Sequence, residues 1–206
     1  MQYTSIPTDF IFWGRDYVHG THVIDAFLRA FDQWGPERIS EFRATFLKPI
    51  VSQACFVRYD RKDDFLAARG DLYAEFKVTA GDATIHVGLM PDSRPVVERI
   101  PNDEDVLTVE AVVDSANSRI SVPFSSTDRF FSRIVASNKK MLWAILGKEG
   151  YTPWRLGRLS FQPDSLEGAH EAVIQMVSNI GNAMVRSRVL MEGRPCGEIQ
   201  FVRKKL

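Results

Sequence analysis

Cysteine is scarce in this chain, and net charge is absent. Among 206 residues only Cys55 and Cys196 occur, far apart and with no Cys-x-x-Cys or Cys/His cluster, so neither a disulfide scaffold nor a structural zinc site is expected. Lysine plus arginine total 26 and aspartate plus glutamate total 26, which leaves no field to draw in a phosphate backbone or an anionic bilayer. Nucleic acid and membrane are therefore not expected partners. No uncharged apolar run approaches the roughly 20 residues of a membrane span, and the first residues lack a basic start followed by an apolar block, so a cytoplasmic location is expected. The 45% hydrophobic, 25% charged and 11% aromatic composition suits a globular chain with a sizeable core.

The pattern along the chain reads as one plan used twice. Val23, Ile24, Phe27, Leu28 and Phe31 fall at helical spacing between His19-Gly20-Thr21 and Trp34-Gly35-Pro36. Residues 38–50 then alternate, with Phe42, Ala44 and Phe46 on one face, and residues 53–60 predict a second strand. Residues 72–80 and 84–90 surround Gly81-Asp82 and predict a hairpin. In the second half Phe130, Phe131, Ile134, Val135, Met141, Leu142 and Ile145 predict another amphipathic helix, with Ser126, Thr127 or Asp128 as N-cap. Strands over 155–162 and 170–179 follow, then a hairpin of 183–191 and 196–203 across Glu192-Gly193-Arg194-Pro195. By spacing, Phe130, Phe131 and Trp143 read as core residues. Residues 91–105 carry three prolines and Asp103-Glu104-Asp105, as a connection between units would.

A long helix followed by antiparallel strands, repeated once, is an α+β plan in which each helix packs on a curved sheet. That is the plan of a tandem (double) hotdog, with residues 1–94 as the first unit and 104–206 as the second.

The string Ile11-Phe12-Trp13-Gly14-Arg15-Asp16-Tyr17-Val18-His19-Gly20, continued by Thr21-His22-Val23-Ile24-Asp25-Ala26, resembles the signature of the β-hydroxyacyl-carrier-protein dehydratases. Gly14, Gly20, Asp25 and Ala26 match it in register. Val18-His19-Gly20-Thr21-His22, with Phe46-Leu47-Lys48-Pro49-Ile50 on the next strand, also resembles the MaoC-like hydratases and dehydratases. The resemblance covers residues 10–90 and implies a hotdog enzyme acting on acyl thioesters of coenzyme A or acyl carrier protein, in fatty-acid or polyketide-type metabolism. It implies Asp25 as the catalytic carboxylate. The chain departs from the family at Ile11, which stands where the dehydratases have a histidine, and the MaoC-type Asp-x-Asn-Pro-x-His string is absent before Gly20.

The chemistry has its own physical reading. A glycine at a helix entrance permits close approach of a carbonyl, and the amides of the first turn, here at Gly20 and Thr21, can polarise its oxygen. Removing water from a 3-hydroxyacyl thioester needs a base for the carbon beside the thioester and an acid for the departing hydroxyl. Positions 22 and 25 are one helical turn apart, so His22 is the natural substitute for the missing histidine, with His19 as a second candidate and Tyr17 as a hydrogen-bond or proton donor. Each has a structural alternative: His22 as a helix-end or surface residue, Asp25 as a partner of Arg29, His19 and Tyr17 as loop packing, and Gly20 as a tight turn.

The function expected first is a hydro-lyase dehydrating 3-hydroxyacyl or hydrating enoyl thioesters; the alternatives are an acyl thioesterase in which Asp25 activates water, and a non-catalytic hotdog that holds an acyl chain or scaffolds a biosynthetic complex. The enzyme readings need no metal and no redox cofactor, since the substrate arrives as a thioester of coenzyme A or phosphopantetheine. An acidic carrier protein would call for a basic cluster, for which Lys139-Lys140 or Arg58, Arg61 and Lys62 are the candidates. Two units in one chain are compatible with a monomer or a homodimer.

Overall fold

The structure is a computed structural model that describes residues 2–6, 10–12, 17–32, 38–100, 103–125 and 129–206, with side chains described from Tyr17 onward except at Asp32, Arg99 and Ile100. It divides into two compact units, Met1–Asn102 and Asp103–Leu206.

The first unit contains β1 (Gln2–Ile6), β2 (Phe10–Phe12), α1 (Gly20–Asp32), β3 (Ile39–Phe46), β4 (Ser52–Tyr59), α2 (Lys62–Ala68), β5 (Ala74–Ala80), β6 (Ala83–Pro95) and β7 (Glu98–Ile100). Its main sheet has the order β1-β4-β6-β5-β3, and β2 pairs with β7 in parallel. Helix α1 buries Val23, Ile24, Phe27, Ala30 and Phe31. Phe27 stacks on Phe76 with ring centroids 4.2 Å apart and meets Phe56 edge-on at 5.4 Å. These rings come from alternate positions of β4 and β5, which is why period-2 strands and a period-3.6 helix close one core.

β5 and β6 form the expected hairpin, with Ala80 opposite Ala83 and Gly81 at φ +56°. β4, however, pairs with β6 and not with β5, so the chain must cross over β6 between β4 and β5. That crossover contains α2, which was not anticipated from the sequence. Its Phe65 packs with Val57, Tyr59 and Leu72 in a small cluster of its own. Gly88 on β6 makes room for the crossover: a methyl group there would stand 2.7 Å from Cδ2 of Leu72. Residues 91–105, expected as a connection, are partly strand, because β6 continues to Pro95 against β4 and β7 follows. Pro91 and Pro95 lie beyond Leu89, the last β6 residue before β5 ends at Ala74, so the missing N–H groups face no β5 acceptor.

The second unit contains α3 (Glu104–Leu107), β8 (Val112–Asp114), β9 (Arg119–Pro123), α4 (Phe130–Leu146), β10 (Arg155–Phe161), β11 (Glu171–Ile180), β12 (Met184–Met191) and β13 (Arg194–Val202). Its strand order is β10-β13-β12-β11-β9-β8, so here β11 and β12 do form a hairpin. The order of elements repeats between the units while the order of strands does not. The turn between β12 and β13 is the pair Glu192-Gly193, both at positive φ. Arg194 and Pro195 belong to β13.

Phe130 and Phe131 are buried as expected, each about one ring width from Phe161 (5.3 and 5.4 Å). Trp143, expected in the core, is only half-buried, because it lies on the flank of α4 under the Lys148 ammonium, 4.2 Å from the ring centroid. The N-cap candidates Ser126, Thr127 and Asp128 lie outside the described residues. Arg129 stands at the cap in a left-handed conformation with no side-chain cap bond. Among the described residues, no helix is long and apolar enough to cross a membrane.

Candidate functional site

The entrance of α1 is held by backbone geometry. The Val18 N–H donates to the Ile50 carbonyl at 2.8 Å, which ties the approach to the helix to the segment after β3. His19 is buried, its Nδ1 lies 2.8 Å from the Thr21 hydroxyl, and the His22 N–H donates to the His19 carbonyl at 3.1 Å. The His19 and His22 rings stand edge to face with centroids 6.0 Å apart. Gly20 opens the helix beneath the ring of Phe46, which occupies the space a side chain would need. The Gly20 position therefore has a packing reason for glycine, and the sequence reading had not connected it with Phe46.

His22 and Asp25 are both half-buried and three residues apart on α1, which puts them on one side of the helix. Tyr17, also half-buried, immediately precedes this entrance. The fold thus gathers Tyr17, His19, Gly20, Thr21, His22 and Asp25 at one helix end and its first turns. Ile11 lies on β2 opposite Arg99 of β7, and its side chain is outside the description. His86 packs against Phe65 at 5.0 Å, and burial together with Lys77 and Lys62 holds its pKa below the ordinary histidine value. His170 is exposed and immediately precedes β11. Among the described residues, no group of three or more His, Cys, Asp or Glu side chains could hold a metal ion.

The corresponding helix of the second unit has a different chemistry. Ser132, Ser137, Asn138 and Lys139 are all buried on α4. The Ser187 hydroxyl of β12 donates to Asn138 Oδ1 at 3.1 Å, while Asn138 Nδ2 and Ser137 Oγ have no hydrogen-bond partner among the described residues. Lys139 is sealed in an ion pair with Glu104 of α3 at 2.5 Å. Lys140 donates to the Thr108 and Ala111 carbonyls at 2.8 and 3.1 Å. Lys139-Lys140 is therefore not the exposed basic cluster expected for a carrier protein; both ammonium groups fasten residues 104–111 to α4. Arg58 is half-buried, and Arg61 and Lys62 are exposed at the start of α2. The signal for the α4 cluster was the polar run Ser137-Asn138-Lys139-Lys140 interrupting an apolar helix.

No protein-family model and no curated protein sequence matches the chain. Solved structures do. The TesB protein of Mycobacterium avium subspecies paratuberculosis superposes with a TM-score of 0.53 at 14% identity, covering 95% of this chain and 90% of that one. A hotdog-fold protein from Alicyclobacillus acidocaldarius gives 0.51 at 9% identity, covering 99% and 92%. A thioesterase II candidate from Thermobifida fusca gives 0.51 at 9% identity, covering 98% and 92%. Below 0.5 the similar structures include the dehydratase domain of PpsC from Mycobacterium tuberculosis. The fold is thus the hotdog fold, present as two units in tandem.

Proposed function

We propose that this protein is an acyl-thioester enzyme of the hotdog type and that its reaction is hydrolysis of the thioester to a carboxylic acid and a thiol. The observation that carries this reading is the contrast between the two helices. α1 offers a histidine and a carboxylate one turn apart behind its first amides, whereas the buried polar residues of α4 are hydroxyls, an amide and a lysine already paired with Glu104. Dehydration in the resembling family relies on a histidine where this chain has Ile11; hydrolysis needs only one base for water.

In this reading the Asp25 carboxylate takes a proton from a water, whose oxygen attacks the thioester carbonyl carbon. The oxyanion that forms is received at the amides of the first turn of α1, the C–S bond breaks as the carbonyl re-forms, and the proton held by Asp25 passes by way of His22 to the thiolate, which restores both groups. The substrate is a thioester of coenzyme A or of a phosphopantetheine-bearing carrier, and the steps need no resident cofactor. The TesB protein and the thioesterase II candidate among the similar structures agree with it.

Thiol release from a panel of short and medium acyl thioesters, compared between wild type and Asp25→Asn and His22→Ala, tests the reading. Asp25→Asn should slow release on the order of 10²- to 10⁴-fold. A second reading, dehydration, is favoured by the same pair, since His22 and Asp25 can act as acid and base together. Enoyl absorbance recorded in parallel separates the two: an Asp25-dependent change in enoyl signal without thiol release moves the assignment to a hydro-lyase. No activity of either kind overturns the enzyme reading in favour of a non-catalytic hotdog.

A further inference from the structure

The end of β3 and the residues after it wall the entrance of α1 on one side. Gly20 meets the tip of the Phe46 ring, and the Val18 N–H donates to the Ile50 carbonyl at 2.8 Å, so residues 46–50 run alongside residues 18–20. The wall is braced from behind. The Leu47 and Lys48 N–H groups both donate to the Tyr73 carbonyl, at 2.8 and 3.3 Å, and the Tyr73 N–H donates to the Leu89 carbonyl of β6 at 2.9 Å. The Tyr73 hydroxyl lies 2.8 Å from that of Ser52, and the Lys48 ammonium donates to the Gly70 carbonyl at 2.8 Å. With the backbone held at these points, Phe46 has only its side-chain torsions with which to move. Its ring is half-buried, the tip against Gly20. Inward of the entrance the space is taken: Phe27 of α1 stacks on Phe76 at 4.2 Å, Phe56 meets both rings edge-on at 5.4 and 5.5 Å, and all three are fully buried.

Resting on the function proposed above, we propose that Phe46 decides which acyl group is accepted: its ring is the fixed wall on the acyl side of the site and restricts the substrate to thioesters unbranched at the carbon next to the carbonyl. The argument is steric. A carbonyl received at the first amides of α1 has two substituents. The carrier arm is polar and leads out to solvent, so the apolar acyl carbons fall to the half-buried ring. They cannot pass inward, where Phe27, Phe56 and Phe76 close the core. The ring tip already leaves too little room for one methyl group on residue 20, and a methyl branch on the acyl carbon beside it meets the same obstacle. An unbranched methylene lies flat against the ring at ordinary contact distance. A wall braced through Tyr73 does not yield to the branch as a loop would.

The test uses two isomeric ketone analogues of acyl-coenzyme A, butanoyl and 2-methylpropanoyl, in which a methylene replaces the thioester sulfur so that nothing can be hydrolysed. Titration calorimetry of the full chain gives Kd for each. Wild type should bind the butanoyl analogue on the order of tenfold more tightly than its branched isomer, and in Phe46→Leu and Phe46→Ala the two should bind within about twofold of one another. The ratio of two constants measured on one preparation does not depend on the fraction folded, and Phe46→Leu keeps an apolar side chain in the wall. A merely structural role for Phe46 weakens both analogues alike and leaves the ratio unchanged, which overturns the proposal. So does a wild type that binds neither analogue or does not distinguish them. Thiol release from the two corresponding thioesters is read separately. A chain that distinguishes the analogues through Phe46 but releases no thiol refutes the proposed hydrolysis and leaves this inference standing; thiol release with a selectivity indifferent to Phe46 does the reverse.

Discussion

The ring of Phe46 lies against Gly20, so that a methyl group at residue 20 would stand 2.9 Å from Cζ and 3.1 Å from Cε1. The glycine at the mouth of α1 is thereby fixed by the strand that follows the helix. Gly20→Ala must push the half-buried ring outward, with an expected cost of about 1–3 kcal/mol and a loss of activity through the displaced helix entrance. Phe46→Ala placed in the same chain should return most of the stability. Thermal melting of the two single variants and the double variant checks this; additive losses would show that the two residues do not meet in solution.

Gly197 on β13 is a stricter case, because the obstacle is backbone. A methyl group there would stand 2.5 Å from the Ser160 carbonyl oxygen and 2.8 Å from Cδ2 of Phe161. Gly197→Ala should destabilise the second unit by about 2 kcal/mol or more, since strand β10 has no side-chain freedom with which to yield. Gly157→Ala, where the nearest atom is at an ordinary 3.5 Å, should be nearly neutral and serves as its control in urea unfolding.

What could be read from the chain beforehand follows the range of the information. α1, α4 and the β5–β6 and β12–β13 hairpins were legible because their signals are local: apolar residues at helical spacing and glycines at two-residue turns. The pairing of β4 with β6 was not, since alternation says which face a strand buries and nothing about which strand lies beside it. α2 was missed because seven residues are too few for a clear period. At the candidate site, His19, Gly20, Thr21, His22 and Asp25 were legible as neighbours in sequence on one helix, whereas the partner of Gly20 is a residue of another element. Lys139-Lys140 read as a surface pair because the acceptors that bury it belong to residues 104–111.

The Lys139–Glu104 pair makes a prediction of its own. The lysine side chain is 2% exposed and the glutamate 14%, so removal of either partner takes a close opposite charge away from a group held out of water. Lys139→Ala should cost about 3–5 kcal/mol, and Glu104→Ala a comparable amount. Lys139→Met combined with Glu104→Leu should recover much of the loss, because two apolar groups of similar size carry no desolvation penalty. The urea midpoints of the four proteins decide it, and a double variant as unstable as the worse single one would mean that α3 is held by other contacts.

Cys196 gives a prediction in pH. Burial pushes its thiol up to about 11 from an ordinary 9.0, and Sγ donates to the Val189 carbonyl at 3.4 Å. A thiol is neutral below its pKa, so between about pH 9 and 11 the unfolded chain ionises this residue while the native chain does not. The unfolded state then binds fewer protons, and stability falls with rising pH through that window and levels off above it. Burial also raises the Cys55 thiol, so the whole protein does not isolate the effect. The difference between wild type and Cys196→Ala does: wild type should lose stability relative to the variant from pH 9 to 11 and run parallel to it below pH 8, as measured by urea unfolding at fixed ionic strength. Alkylation should agree, since the thiolate is the reactive form and the native protein keeps little of it. In iodoacetamide at pH 8, Cys196 should be modified far more slowly in the folded protein than in 6 M guanidinium. A native rate equal to the unfolded one would place the thiol in water and remove the basis for the pH effect.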